Sequence, residues 1–148
     1  MKVVDANVLL YAVDRGAEHH QVSKDWLDWA LSGHESILLP WLSLLAFVRI
    51  STHPAIHDQP LTTDEALDVV EVWVGAPATI TDEPDAGHVA RLRAALGATG
   101  RGGNLVNDAH LAALALQHGA AVVTFDSDFG RFPGVRWERP QPSREPVD

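Results

Sequence analysis

Apolar positions fall into short blocks, and most of the chain between them has helical spacing. Lys2–Val4 is a brief apolar strand ended by Asp5. Asn7 is placed to cap a helix carrying Val8, Leu9, Leu10, Tyr11 and Val13, with Gly16 as its stop. From His19 to Leu31, Val22, Trp26, Trp29 and Ala30 recur at helical intervals, and Gly33 closes the run. Ile37–Leu39 is a second short strand. Pro40 breaks it, and Leu42 to Ile50 is an apolar helix. His53 to Pro60 is a loop. Thr62 and Glu65 have capping-box spacing ahead of a helix through about Val74.

The second half repeats the alternation. Ala78–Thr81 fits a third strand, and Pro84 opens a helix to about Leu96, ended by Gly97. Gly97, Gly100, Gly102 and Gly103 form a flexible loop. Asn107 is placed to cap a helix from Asp108 to His118, with Gly119 as its stop. Ala120–Phe125 is the clearest strand, apolar throughout and β-branched at Val122, Val123 and Thr124. A loop over Asp126–Gly134 and a short strand at Val135–Glu138 complete a domain spanning 1–138. The tail, 139–148, holds Pro140, Pro142 and Pro146 and is expected to be extended or disordered. Short apolar strands alternating with helices imply an α/β fold, with a parallel sheet covered on both faces.

Composition narrows the chemistry. The 148 residues suit one domain, and the absence of cysteine excludes disulfides and thiolate metal sites. That fits a reducing cytoplasm. No signal peptide or membrane-spanning run is expected. The net charge of −9 argues against a simple basic nucleic-acid binder, unless carboxylates hold cations that invert the local field.

Asp5 directly follows the first strand, and Asp126 directly follows the Ala120–Phe125 strand. Ligands of open parallel sheets bind beyond the carboxyl ends of strands. Asp108 stands in the first turn of the helix that leads through Gly119 into that strand, and Asp128 shares the loop of Asp126. Carboxylates gathered at one point repel unless a dication sits among them. Oxygen ligands without Cys suit Mg²⁺, or Mn²⁺ as a substitute, more than Zn²⁺. Such an ion activates water against a phosphodiester.

Four segments together resemble the PIN-domain nucleases, and in particular the VapC-type toxins of toxin–antitoxin systems. They are Val4 to Ala12 (VDANVLLYA), Leu42 to Pro54 (LSLLAFVRISTHP), Asn104 to Ala113 (NLVNDAHLAA) and Thr124 to Phe129 (TFDSDF). The resemblance implies a three-layer α/β/α domain, Mg²⁺-dependent cleavage of single-stranded RNA, a homodimer and inhibition by a cognate VapB-like antitoxin. It assigns Asp5, Asp108 and Asp126 as metal-binding catalytic acids, with Asp128 as a catalytic neighbour. Thr124 supports the site, and Asn7 and Asn104 are contacts of the metal shell or of the substrate. Arg49 takes the family's basic position, for phosphate or for a site carboxylate. Arg101 and Arg131 are lesser candidates for backbone contacts. The family's acid three residues before that Arg is replaced by Ala46. Magnesium sites built from few carboxylates, water and substrate oxygens tolerate such a loss.

Two other readings stand beside the nuclease. A catalytically weakened PIN scaffold that binds RNA or protein fits Ala46 and the acidic charge. A phosphoacceptor α/β protein needs a lysine beyond a later strand, and the only lysines are Lys2 and Lys24. The histidine pair His19 and His20 lacks metal-ligand spacing, and His110 is expected to pack. His53 and His57 are expected on loop surface. The five tryptophans, Trp26, Trp29, Trp41, Trp73 and Trp137, are expected mostly in the core.

Overall fold

A computed structural model describes residues 1–142. Five parallel strands form one sheet: β1 (Lys2–Val4), β2 (Ile37–Leu38), β3 (Thr79–Ile80), β4 (Ala121–Val123) and β5 (Arg136–Glu138), in the order β3-β2-β1-β4-β5. Six α-helices connect them: α1 (Ala6–Val13), α2 (His20–Trp29), α3 (Trp41–Ser51), α4 (Thr63–Gly75), α5 (His88–Thr99) and α6 (Leu105–His118). The strands are only two or three residues long, so the sheet depends on both covering layers for its burial.

The alternation of side chains along each strand divides the core in two. Val4, Ile37 and Val123 face one way and pack with Val8, Leu9, Trp26, Leu44, Phe47, Val70 and Trp73 from α1 to α4. Val3, Leu38 and Val122 face the other way and pack with Ala95, Ala109, Leu111, Ala112 and Ala115 from α5 and α6. This is the three-layer α/β/α architecture. The small residues of α6 let it lie close on the sheet.

Element boundaries moved for identifiable reasons. Asn7 does not cap α1; the carboxylate of Asp5 accepts from Ala6 N at 2.7 Å and takes that place. Helix α6 begins at Leu105, so Asn107 is inside it and Asn104 is the cap residue, although its side chain makes no capping bond. Helix α5 starts at His88, not at Pro84, and runs through Gly97 to Gly100, whose φ is 70°. The turn at Ala30–His34 is a π-helix closing on Gly33 at φ 96°. The strand expected over Ala120–Phe125 is confined to Ala121–Val123, and the following loop contains a 3₁₀ turn at Ser127–Arg131. The capping box of Thr62 and Glu65 is present on α4, with Glu65 N to Thr62 Oγ1 at 3.1 Å and Thr62 N to Glu65 Oε1 at 3.0 Å.

Trp26 and Trp73 are buried as expected, whereas Trp41, at the start of α3, is 45% exposed. The first residues of the tail are ordered: Pro140 is buried and the Arg139 guanidinium lies over the Phe125 ring. The rest of the tail, 143–148, lies outside the described residues. No helix among the described residues is long and apolar enough to cross a membrane.

Candidate active site

The sheet's winding reverses beside β1. From β1 the chain proceeds outward to β2 and β3, then returns to place β4 on the other side of β1. Ligand sites of open α/β sheets form at such a switch point. The register pairs Val4 with Val123, and Asp5 N donates to Val123 O at 3.0 Å. The next residues of the two chains, Asp5 and Thr124, are thereby neighbours although they are far apart in sequence.

A compact polar network fixes them. Thr124, fully buried, donates from Oγ1 to Asp5 Oδ2 at 2.7 Å. The same hydroxyl accepts from Asp126 N at 3.0 Å and from Asn7 Nδ2 at 3.3 Å. Asn7 Nδ2 also reaches Asp5 Oδ2 at 3.5 Å, and its Oδ1 accepts from Phe125 N at 3.3 Å. Asn7 is therefore a clasp between α1 and the end of β4. Asp126 Oδ1 accepts from Asp128 N at 2.8 Å, which shapes the 3₁₀ turn, and Asp128 pairs with Arg131 Nε at 3.3 Å.

Asp108 comes to this group from the opposite side, in the first turn of α6. Its carboxyl pKa is pushed up to about 7, first by burial and then by the charges of Asp5, Asp126 and Asp128. Burial also raises that of Asp5, and the charge of Asp126 adds to it, while the bonds from Thr124 and Ala6 oppose the rise. Four carboxyl groups from three separated segments thus share one electrostatic neighbourhood. Among the described residues, however, no three His, Asp or Glu side chains stand in a ready metal-binding group. Asp5 is held by Thr124 and Ala6, Asp126 by Asp128 N, and Asp128 by Arg131.

Asp5 and Asp108 line a cleft of about 630 Å³ between α3 and α6. Arg49, Asn104 and Asn107 line it as well, with Leu42, Ser43, Leu45, Ala46 and Leu111. Ala46 on this wall leaves α3 without a carboxylate toward the cleft. Arg49 is exposed and has no ion pair among the described residues. Asn104 also lines a smaller pocket of about 280 Å³ with Arg101 and Asp128. The cleft also holds Ser43 and Asn107, which the sequence pattern does not mark as site residues. The three-residue step from Asn104 to Asn107, one face of a helix, was the available signal.

The oxygen donors fit a divalent cation of the Mg²⁺ kind. They are hard, they repel one another, and Asp108 carries no competing hydrogen bond among the described residues. The other candidates lie elsewhere. His110 faces His88 across α5 and α6, with Nδ1 to Nε2 at 2.9 Å, and His57 lines a separate groove with Arg15 and Gln59. Lys2 pairs with Glu138 at 2.7 Å and Lys24 with Asp28 at 2.6 Å, so neither supplies the phosphoacceptor reading with its cation.

An open parallel sheet with an acid-lined cleft at its switch point defines a class of three-layer α/β/α domains rather than one activity. The comparisons narrow it. The sequence matches the PIN domain family over residues 2–135. It is 51% identical to ribonuclease VapC37 of Mycobacterium tuberculosis over 95% of this chain and 97% of that one. It is 35% identical to ribonuclease VapC31 of the same species over 95% of this chain and 99% of that one. The chain belongs to the PIN domain family, in its VapC branch. Similar folds occur in the structure of VapBC2 from Rickettsia felis bound to a fragment of promoter DNA (TM-score 0.65, 19% identity, 95% and 98% of the two chains covered). VapC20 of M. tuberculosis, a sarcin–ricin loop cleaving toxin, has a TM-score of 0.63 at 15% identity, with 92% and 99% covered.

Proposed function

We propose that this chain is the ribonuclease toxin of a cytoplasmic toxin–antitoxin pair, cleaving RNA with the help of Mg²⁺ or Mn²⁺. The observation that carries the reading is that Asp5 and Asp108 line one cleft beyond β1, with the charges of Asp126 and Asp128 near enough to act on Asp108. Burial first, and the charges of Asp5, Asp126 and Asp128 after it, lift Asp108 to about 7. A divalent cation relieves that repulsion.

Asp5, Asp108 and Asp126 are the residues that would hold the ion, with Asp128 beside them. A bound ion supplies an acidified water and offsets charge on the oxygens of the phosphodiester. The residues present do the rest. Thr124 holds the Asp5 carboxylate in one orientation through the 2.7 Å bond, and Asn7 locks α1 to the strand end. Arg49 offers an unpaired guanidinium to an RNA phosphate. Attack by water, with the 3′ oxygen leaving, gives 5′-phosphate and 3′-hydroxyl ends. With few carboxylates in place and Ala46 on α3, substrate oxygens and water complete the ion's shell.

The kinship with VapC37 and VapC31, both ribonucleases by name, supports the same reading. The fold likeness to toxins solved with their antitoxins supports a VapB-like partner, and the family resemblance supports a homodimer.

The test pairs chemistry with binding. D108N, at unchanged thermal stability or better, and D5A, assayed well below a melting temperature lowered by the loss of the α1 cap, should each lose cleavage of single-stranded RNA by more than about 100-fold, beyond the loss typical of supporting residues. Calorimetric titration with Mn²⁺ should show binding to the wild type and its loss in the variants. No Mn²⁺ binding at millimolar concentration, with RNA present, would favour the weakened scaffold that Ala46 suggests.

A further inference from the structure

The strands are parallel, so their carboxyl ends share one edge of the sheet, the edge followed by Asp5 after β1 and by Asp126 after β4. β5 ends on that edge too. Its register pairs Glu138 with Val123, and Thr124 N donates to Glu138 O at 3.0 Å. Arg139 therefore leaves the sheet beside Thr124, the residue that holds Asp5. The residue that opens the Pro-rich tail is thus part of the site end of the molecule.

Its side chain has a seat there. The guanidinium carbon lies 5.8 Å from the centre of the Phe125 ring. Phe125 stands between Thr124 and Asp126, and its N donates to Asn7 Oδ1 at 3.3 Å. The ring is stacked on His19, with centroids 4.4 Å apart, and makes a T-shaped contact with Tyr11 at 5.4 Å. Pro140, next in the chain, is buried, which anchors the backbone just beyond Arg139. A ring face attracts the charge of a guanidinium and occupies none of its N–H donors. Arg139 is exposed and has no ion pair among the described residues, whereas Lys2, Lys24, Arg91 and Arg131 are each paired with a carboxylate. A fixed cation with free donors, beside the acids of the site, suits an anion.

Resting on the nuclease reading above, we infer that Arg139, seated on Phe125, is a substrate-binding residue that holds a backbone phosphate of single-stranded RNA on the β5 side of the cut. The RNA then crosses the sheet end past Asp5 and Asp126, between two guanidinium groups. Arg49 lines the cleft from α3, which follows β2, and β2 and β5 lie on opposite sides of the β1–β4 pair. From β2 to β5 is three strand spacings, about 14 Å, so the two contacts fall on different phosphates. Phosphate contacts set affinity and position and read no base. Arg139 therefore acts on how tightly and in what register the strand lies over the acids, not on which base is chosen. It also gives a chain of net charge −9 a local cation where a polyanion has to pass.

The test compares wild type, R139M and R139K on single-stranded RNA oligonucleotides with Mn²⁺, after the cut in the best substrate has been mapped by sequencing. R139M keeps the apolar stem against Phe125 and removes the charge. It should raise KM by about three- to tenfold, the scale of one charged hydrogen bond, with kcat and melting temperature unchanged. R139K should recover most of the loss, since it restores a point charge. The slope of log kcat/KM against log salt should be shallower in R139M by about 0.7, the share of one phosphate on a single strand. Trimming the RNA on one flank of the cut should abolish the difference between R139M and wild type, and trimming the other flank should preserve it. A fall in kcat and melting temperature, with KM and salt slope unchanged, would make Arg139 a packing residue and overturn the inference while leaving the nuclease standing. A KM effect that survives trimming on either flank would overturn it too, because no phosphate beyond the cut is then involved. A wild type that cleaves none of the RNA would bring down the nuclease reading and this inference together.

Discussion

At the scale of single residues, Thr124 is the hinge of the site. Its buried hydroxyl gives its one proton to Asp5 and takes bonds from Asp126 N and Asn7. T124V keeps the shape and removes all three bonds. Cleavage and Mn²⁺ affinity should both fall by about 10- to 100-fold, as is typical when a supporting partner of a metal ligand is lost. T124S should restore most of it, because the hydroxyl and not the methyl does the positioning. A T124V protein with wild-type kinetics would show that Asp5 needs no such support. Much of this was legible beforehand. Asp5 and Asp126 announce themselves as acids placed immediately after apolar strands, and Thr124 stands two residues before Asp126. What the sequence could not disclose is how the acids are occupied. That Asp5 serves as the cap of α1 while Asn7 reaches across to Phe125 depends on β1 and β4 being neighbours, a fact of topology.

At the scale of elements, local chemistry was readable wherever it is self-contained. The capping box at Thr62 and Glu65 involves residues three apart and needs nothing from the rest of the fold. T62A should therefore cost about 1 kcal/mol. That corresponds to a fall in melting temperature of about 3 °C for a chain of this length, measured by calorimetry. Cleavage at a temperature well below melting should not change, since α4 contributes nothing to the cleft. Boundaries went astray where two local signals competed. Pro84 is a good helix opener, but Asp85 instead holds Gly87 N at 2.9 Å and pairs with Arg91, so the chain turns before α5 begins at His88. Gly97 is a good stop, but it meets no crowding within the helix, and Gly100 with its positive φ ends α5 instead. Asn107 and Asn104 competed in the same manner for the start of α6. The sheet, by contrast, was recoverable in outline because the central strands are apolar and buried over Val3–Val4, Ile37–Leu38 and Ala121–Val123, the mark of a sheet covered on both faces.

At the scale of the whole molecule, the burial of Asp108, with other acids near it, trades stability for a binding site, and the trade depends on pH. In the metal-free protein Asp108 holds its proton up to about pH 7, against an ordinary value of 3.8. Between those limits the folded chain keeps a proton that the unfolded chain has released. Folding then takes up a proton, so rising pH works against it. The penalty is absent well below pH 4, grows through the window and is complete above about 7. Asp108 is only half-buried, and solvent screening reduces the effect to about 1 kcal/mol. D108N carries no such penalty. Its melting temperature should nearly match the wild type at pH 4.5 and exceed it by about 3 °C at pH 8, both without metal. A metal ion must displace the same proton, so Mn²⁺ affinity should be about tenfold weaker at pH 6 than at pH 8. Saturating Mn²⁺ at pH 8 should then reverse the order, because an ion bound only by the folded wild type stabilises it by mass action. A D108N advantage that stays constant across pH and survives Mn²⁺ would mean that its origin is packing. In that case a buried carboxyl short of a compensating charge would no longer explain why a cation belongs beside Asp108.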